Sequence, residues 1–409
     1  MNIYLIAKKL SHSFSPQIHK CLADYSYNLK ELSESELEEF FQKREFDGLN
    51  ITIPYKMISM QYLDEISKEA DEIGAVNTVV NRGGRLFGYN TDYFGFKYMV
   101  SSSGIEIKGK KVVVIGGGGA SKPVVLACRD LGAQSVRILT HSENKAGSVE
   151  KYYDAQVLVN ASPVGMFPNT NESPVCIESF KACEGVLDLI YNPACTRLMF
   201  DAQRKGIKTC NGLGMLVAQA KKACELFTGT NIDDEVIEPI RRKIEGETKN
   251  ILLVGMPGCG KSTIGSLMAQ ALGREFIDTD KKISDLGETP EELILNHSEE
   301  YFRGIETKVL AEESKKSGCV ISTGGGIVTR PENLYLCRQN SFVIFVEREI
   351  EKLATKARPL SAGGAGELEK MYERRLPKYM EFSDIRIKNG DVFSETAKKL
   401  INMYREMYL

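Results

Sequence analysis

Short apolar runs recur along the chain, and three of them stop at glycine-rich turns. Lys111–Ile115 runs into glycines 116–119, residues 251–254 run into the turn 255–260, and Val320–Ser322 runs into the turn 324–326. A continuous apolar run of this length reads as a strand buried on both faces. Strand, glycine turn and helix in that order predict α/β units around a parallel sheet. Behind Lys261 the pattern changes, because Ile264, Leu267, Met268, Ala271 and Leu272 recur at helical spacing. That segment is a helix packed by one face. A further strand is expected over Ser135–Leu139. Two segments break the pattern: residues 241–250 are charged and contain a glycine, which marks the main linker, and residues 101–104 mark a second junction.

Composition sets the scale. With 409 residues, 42% hydrophobic and 26% charged, the chain has apolar side chain enough for three compact domains and no disordered tract. Its 53 basic and 55 acidic residues nearly cancel, so neither half is a nucleic-acid or membrane-surface binder by its net field. Small-molecule ligands are expected. The ten cysteines include no C-x-x-C pair and no zinc-spaced cluster, and they read as reduced thiols. The first residues are too short an apolar run for a signal peptide, and about 18 apolar residues never follow one another. The expected location is the cytoplasm.

Glycines Gly116, Gly117, Gly118 and Gly119, followed by Ala120, open a helix behind a strand, where backbone amides and a helix N-terminus suit a pyrophosphate. A four-glycine turn is also an ordinary structural device. The next strand leads to Thr140, His141, Ser142, Glu143, Asn144 and Lys145. No Asp or Glu stands at the strand end itself to hold ribose hydroxyls, and hydroxyls with one lysine suit a 2′-phosphate better. A solvated loop fits the same residues. Upstream, Ser13, Ser15, Thr52, Lys56, Asn77 and Asp92 are polar groups at expected strand ends, able to line a pocket for a polyhydroxylated ring acid. Taken singly, Lys56 reads equally as a surface lysine, Asp92 as a turn residue and either serine as a helix cap.

Together these segments resemble the shikimate dehydrogenases. The stretches H-S-F-S-P, N-I-T-I-P-Y-K, G-A-V-N-T, N-T-D-Y-F-G, N-A-S-P-V-G-M, D-L-I-Y-N-P and G-L-G-M-L-V-A-Q-A follow in that family's order over about residues 1–245. The resemblance implies that Ser13 and Ser15 bind the substrate carboxylate, while Thr52, Asn77, Asp92 and Gln219 surround its hydroxyls. It implies Lys56 and Asp92 as the catalytic pair for reducing 3-dehydroshikimate, and it adds Leu189, Tyr191 and Gly212 to the expected NADP contacts. Two departures stand out. Residues 7–10 read A-K-K-L where the family usually has G-x-P-I, and Thr140, Ser142 and Lys145 stand where an arginine usually helps hold the 2′-phosphate.

The second half opens on a complete G-x-x-x-x-G-K-S loop from Gly255 to Ser262, between a strand and an amphipathic helix. Gly258, Cys259, Gly260 and Thr263 would wrap ATP phosphates, Lys261 would neutralise them, and Ser262 would bind Mg2+. Behind it come Asp278 and Asp280, then F-R-G-I-E at 302–306, glycines 324–326, R-P-L at 358–360 and R-L-P-K-Y at 375–379. Each has a bland alternative: a solvated turn, an i,i+3 ion pair, a tight turn, a surface loop. Their order resembles the shikimate kinases across about residues 250–409. That implies Asp280, Gly324 and Gly325 on the ring hydroxyls of shikimate, Arg303 and Arg375 on its carboxylate, Asp278 behind the Mg2+, and Arg358 on a lid closing over ATP. Lys378 stands where the family usually has leucine.

The expected fold is therefore α/β. A substrate-binding α/β domain (1–103 and 212–245) accompanies a Rossmann-like NADP domain (104–211), followed by a P-loop kinase domain with a parallel sheet (250–409). Hinge motion should open and close a cleft between the first two. Two rivals remain open: an NAD-using quinate/shikimate dehydrogenase fused to the same kinase, and a sensor that binds shikimate without turnover.

Overall fold

The apolar runs become strands of three separate sheets in the computed structural model, which describes residues 1–10, 13–145, 148–353 and 365–408. The first sheet holds β1 (Asn2–Ala7), β2 (Ser26–Glu31), β3 (Gly48–Ile51), β4 (Glu65–Ile66), β5 (Thr78–Arg82) and β6 (Arg85–Tyr89), in the order β2-β1-β3-β5-β6-β4. It is mixed: β1 runs parallel to β2 and β3, whereas β5 runs antiparallel to β3 and β6. Leu49, Ile51, Val79 and Leu86 bury one face against Phe41 and Tyr55.

The second sheet holds β7 (Lys111–Ile115), β8 (Ser135–Leu139), β9 (Val157–Asn160), β10 (Gly185–Asp188) and β11 (Lys208–Asn211), all parallel, in the order β11-β10-β9-β7-β8. Strands leave β7 in opposite directions. The turn behind β7 therefore sits at a topological switch point, where open α/β sheets form their crevice.

The third sheet is also parallel: β12 (Asn250–Val254), β13 (Phe276–Asp278), β14 (Val320–Ser322), β15 (Ser341–Glu347) and β16 (Ile385–Lys388), in the order β13-β14-β12-β15-β16. Every residue of β12 and β15 is buried, as a sheet covered by helices on both faces requires. The predicted helix behind Lys261 runs Lys261–Leu272.

The chain divides into two units. One comprises Met1–Gly165, Asn171–Tyr191 and Asp201–Arg241; the other comprises Met166–Thr170, Asn192–Phe200 and Arg242–Leu409. Within the second unit, Phe200 is buried edge-on against Tyr335, whose hydroxyl donates to the Thr170 carbonyl. The charged stretch 241–250, read as a linker, is instead the end of a helix, Ile237–Thr248, running straight into β12. Ile237, Ile240 and Ile244 turn one apolar stripe of that helix inward, a periodicity that its many charges obscure. All ten cysteines are free thiols. Among the described residues, no helix is long and apolar enough to cross a membrane.

Candidate active sites

A cleft of about 980 Å³ opens in the first unit, and all seven residues expected to bind the ring acid line it: Ser13, Ser15, Thr52, Lys56, Asn77, Asp92 and Gln219. Local structure fixes the central pair. Tyr55, 1% exposed, anchors its hydroxyl on the Leu32 carbonyl, and the Lys56 carbonyl accepts from Val76 N. Asp92 lies in the first turn of the helix Thr91–Ser103, where the partial positive end of the helix favours a carboxylate. The two side chains meet with Lys56 Nζ 2.6 Å from Asp92 Oδ2, each about one-fifth exposed or less. An ammonium bonded to a carboxylate at a cleft wall can hand a proton to an oxygen bound beside it.

Hydrogen bonds fix the orientation of the amides behind this pair. Asn77 Oδ1 accepts from the Thr91 backbone N–H at 2.7 Å, from Thr91 Oγ1 at 3.1 Å and from Thr78 Oγ1 at 3.1 Å. With its oxygen occupied by three donors, Asn77 has its amide N–H groups left for the cleft. Gln219 Oε1, 3.3 Å away, is the alternative acceptor for the single Thr91 hydroxyl proton.

Ala120, Leu189, Tyr191 and Gly212 line the same cleft, so four of the expected cofactor residues join the substrate residues there. The glycine turn approaches it from β7. Gly116 has φ 110°, a left-handed conformation that a side chain would strain, and a Cβ there would come within 3.0 Å of the 161–162 backbone. A Cβ at Gly118 or Gly119 would meet nothing within 4 Å, so their outer faces are open to an approaching phosphate. A Cβ at Gly212 would collide with the Leu189 carbonyl. Beyond the end of β8 the structure gives a role to Glu143, which the sequence reading named without assigning it one. Glu143 folds back so that its Oε2 accepts from Thr140 N at 2.9 Å and Thr140 Oγ1 at 2.7 Å, with Ser142 Oγ 3.1 Å from the same hydroxyl. Those bonds hold the Glu143 carboxyl below its ordinary pKa. An acidic side chain does stand at this strand end. Of Lys145 only the backbone belongs to the described part of the chain.

The second unit carries its own cleft, about 800 Å³, lined by Gly258, Gly260, Lys261, Ser262, Thr263, Asp280, Arg303, Gly324, Gly325 and Arg375. Gly260, at φ 102°, turns the loop into the helix Lys261–Leu272. Lys261 Nζ donates to the carbonyls of Gly255 and Met256 at 2.9 and 3.0 Å. Cys259 is fully buried and is part of the loop's packing rather than of the cleft wall. Ser262 Oγ donates to Asp278 Oδ2 at 2.6 Å and lies 3.2 Å from Ser322 Oγ, an all-oxygen group of the kind a hard divalent cation takes alongside water and phosphate. Among the described residues, no cluster of three or more His, Cys, Asp or Glu could hold a metal without such a ligand. Arg358 and most of the expected lid lie outside the described residues.

The acceptor end is defined by charge. Arg303 is paired with Glu306 at 2.7 Å and Glu299 at 3.1 Å. Arg375 is equally buried, 2% exposed, but has no carboxylate within ion-pair distance among the described residues; its Nη1 donates to the Gly325 carbonyl at 3.1 Å and its Nε is unpartnered. Burial lowers the Arg375 pKa from its ordinary value. A buried guanidinium with no counter-ion on a cleft wall is a site for an anion. Burial also pushes the Glu306 carboxyl up, against the pull of Arg303.

Several cleft residues were given no site role by the sequence reading, although Glu306 was read as an i,i+3 ion-pair partner of Arg303, which it is. Asn50, Lys8, Lys9, Glu34 and Met215 line the first cleft, and Glu306, Arg348 and Phe393 line the second. Lys8, Lys9, Asn50, Met215 and Glu306 sat inside stretches already singled out, so position within the stretch was the available signal. Arg348 and Phe393 come from unrelated stretches that only the fold brings together.

Comparison with known proteins adds independent support. Residues 5–79 match the shikimate dehydrogenase substrate binding domain, and residues 257–405 match shikimate kinase. An NADP(+) shikimate dehydrogenase of Clostridium perfringens is 35% identical over 263 residues, 59% of this chain and 97% of that protein. The crystal structure of a chorismate mutase/shikimate 5-dehydrogenase fusion protein from Clostridium acetobutylicum is similar with a TM-score of 0.55 and 35% identity, covering 60% of this chain and 97% of the other. Shikimate 5-dehydrogenase of Thermus thermophilus, solved with NADP(H) and shikimate, gives a TM-score of 0.53 at 34% identity, covering 59% and 98%.

Proposed function

The chain belongs to the shikimate dehydrogenase family and carries a shikimate kinase domain behind it, and from that premise we propose that it catalyses two consecutive reactions, NADPH-dependent reduction of 3-dehydroshikimate and ATP-dependent phosphorylation of the shikimate formed. The observation that carries the first reaction is the Lys56–Asp92 pair at 2.6 Å inside a cleft lined by all seven ring-acid residues. NADPH, when bound, supplies the hydride. As the C3 carbonyl carbon of 3-dehydroshikimate gains that hydride, negative charge collects on its oxygen, and Lys56 Nζ donates the proton that completes the hydroxyl. Asp92 orients the ammonium and accepts from a neighbouring ring hydroxyl. Ser13 and Ser15 hold the carboxylate, with Thr52, Asn77 and Gln219 on the hydroxyls. Gly116 to Gly119, Ala120, Leu189, Tyr191 and Gly212 receive the cofactor.

For the second reaction, the unpaired buried Arg375 and the paired Arg303 supply the carboxylate site for shikimate, and Asp280 with the Gly324–Gly325 backbone receives its hydroxyls. Lys261 and the loop amides neutralise the ATP phosphates, and transfer of the γ-phosphoryl group to the 3-hydroxyl leaves ADP. Mg2+, when bound, would neutralise phosphate charge beside Ser262 and Asp278. One observation favours a second reading of the cofactor: Glu143, folded onto Thr140, gives the ribose end an acidic character that suits NAD. Assays with 3-dehydroshikimate and either NADPH or NADH, and with shikimate and ATP, test both reactions. Failure to reduce 3-dehydroshikimate, or to consume ATP with shikimate, removes the corresponding half of the proposal.

A further inference from the structure

Beneath the first cleft lies a layer of buried aromatic and polar side chains that the reaction itself does not use. His19, 1% exposed, stacks on the Tyr27 ring with centroids 4.1 Å apart and planes 15° from parallel. Its Nδ1 is bonded to the Tyr25 hydroxyl, and its Nε2 is buried without a partner. Burial keeps this imidazole neutral and keeps Tyr27 a phenol. The Tyr27 hydroxyl leaves this apolar seat and donates to Asn50 Oδ1 at 2.8 Å.

Asn50 passes the constraint on. Its Nδ2 donates to Thr78 Oγ1 at 3.1 Å and to the Asn77 carbonyl at 3.4 Å. A carbonyl can only accept, so the Asn50 amide has one allowed orientation, with its oxygen towards Tyr27. Thr78 then donates to Asn77 Oδ1 at 3.1 Å. An unbroken run of hydrogen bonds thus joins Tyr27 to Asn77, which lies on the cleft wall.

We propose that Tyr27 is a positioning residue for the reduction site: its hydroxyl, seated on the buried His19 ring, fixes the Asn50 amide and through it the orientation of the groups that receive the ring hydroxyls. This rests on the reading that the cleft takes 3-dehydroshikimate. Tyr27→Phe keeps the ring stack and removes one oxygen, leaving Asn50 Oδ1 without its donor. Loss of one partner from a buried hydrogen-bonded pair corresponds to about a tenfold effect. That loss should fall on substrate binding, because Lys56 and Asp92 are not in the run.

The experiment is steady-state kinetics of the full chain. Wild type is assayed first, and if it does not reduce 3-dehydroshikimate the functional reading fails rather than the role of Tyr27. For Tyr27→Phe the expected result is a KM for 3-dehydroshikimate raised about tenfold, with kcat within about threefold and the KM for NADPH unchanged. Thermal melts of the same preparation report that the protein is folded. Asn50→Ala and the double variant complete the cycle. If Tyr27 acts through Asn50, adding Tyr27→Phe to Asn50→Ala changes the KM no further. The proposal is overturned if Tyr27→Phe leaves the KM unchanged, if it lowers kcat and melting temperature together with no selective KM effect, or if the two substitutions act additively.

Discussion

At the residue scale, two carboxylate and imidazole environments carry consequences that their sequence neighbours do not advertise. Glu143 belongs to a T-x-x-E arrangement, in which Thr140 and Glu143 exchange hydrogen bonds as at many helix starts. The same arrangement puts an ionised carboxylate where the 2′-phosphate of NADP is expected, and like charges repel. Glu143→Gln should therefore raise the ratio of kcat/KM for NADPH over NADH, by about two- to fivefold because solvent screens an exposed pair. A ratio that stays the same or falls would remove Glu143 from cofactor choice. His19 acts on stability. Burial lowers its pKa to about 3, against 6.5 in the unfolded chain. Between those values the unfolded state holds a proton that the folded state does not, so stability falls as the pH drops below about 6.5. From pH 7 to pH 5 the loss should be about 2 kcal/mol from this group. Calorimetric scans at both pH values should show a smaller acid shift for His19→Asn than for wild type, and equal shifts would refute the assignment.

At the scale of elements, the turns behind the strands decide which side chains meet. The turn 324–326 follows β14, and a Cβ at Gly326 would run into the Arg303 guanidinium, which Glu306 and Glu299 hold in place. The Gly326 backbone, at φ −98°, is one that alanine adopts freely, so Gly326→Ala tests the close approach alone. Overpacking of this kind costs about 1–3 kcal/mol, and the KM for shikimate should rise roughly tenfold or more while the KM for ATP stays unchanged. An equal rise in both would mean that the whole turn had moved. The strands that lead into such turns were legible in the sequence where burial on both faces leaves an apolar run, as in Lys111–Ile115 and Val320–Ser322, which appear with the bounds read from it; Ser135–Leu139 also keeps its bounds, although it is an edge strand with Arg137 and Ile138 exposed. The helix Ile237–Thr248 was hidden, since three inward isoleucines among charged residues resemble a linker when read for composition alone. Site residues inside contiguous motifs were equally legible. Arg348 and Phe393 were not, because 45 residues of chain separate them and only the fold sets the Arg348 guanidinium 4.8 Å over the Phe393 ring.

At the scale of the whole molecule, the two clefts share no lining residue, and each is lined by residues of a single unit. The two chemistries should therefore be separable by substitution. Lys56→Ala removes the proposed proton donor of the first cleft together with the partner of Asp92, and it should depress reduction of 3-dehydroshikimate by about 10²- to 10⁴-fold while phosphorylation of added shikimate continues. Asp280→Ala should do the reverse, so that shikimate accumulates from 3-dehydroshikimate and NADPH even with ATP present. Phosphoryl transfer depends chiefly on positioning and charge neutralisation, and the Asp280 carboxylate lies beside the Gly324 turn at the acceptor end of the second cleft. Both variants should be assayed for both reactions, with thermal melts to establish folding. Loss of both activities in either folded variant would overturn independence of the two sites. Retention of one activity in each, with the other suppressed, would leave shikimate as a freely assayable product of the first cleft and substrate of the second.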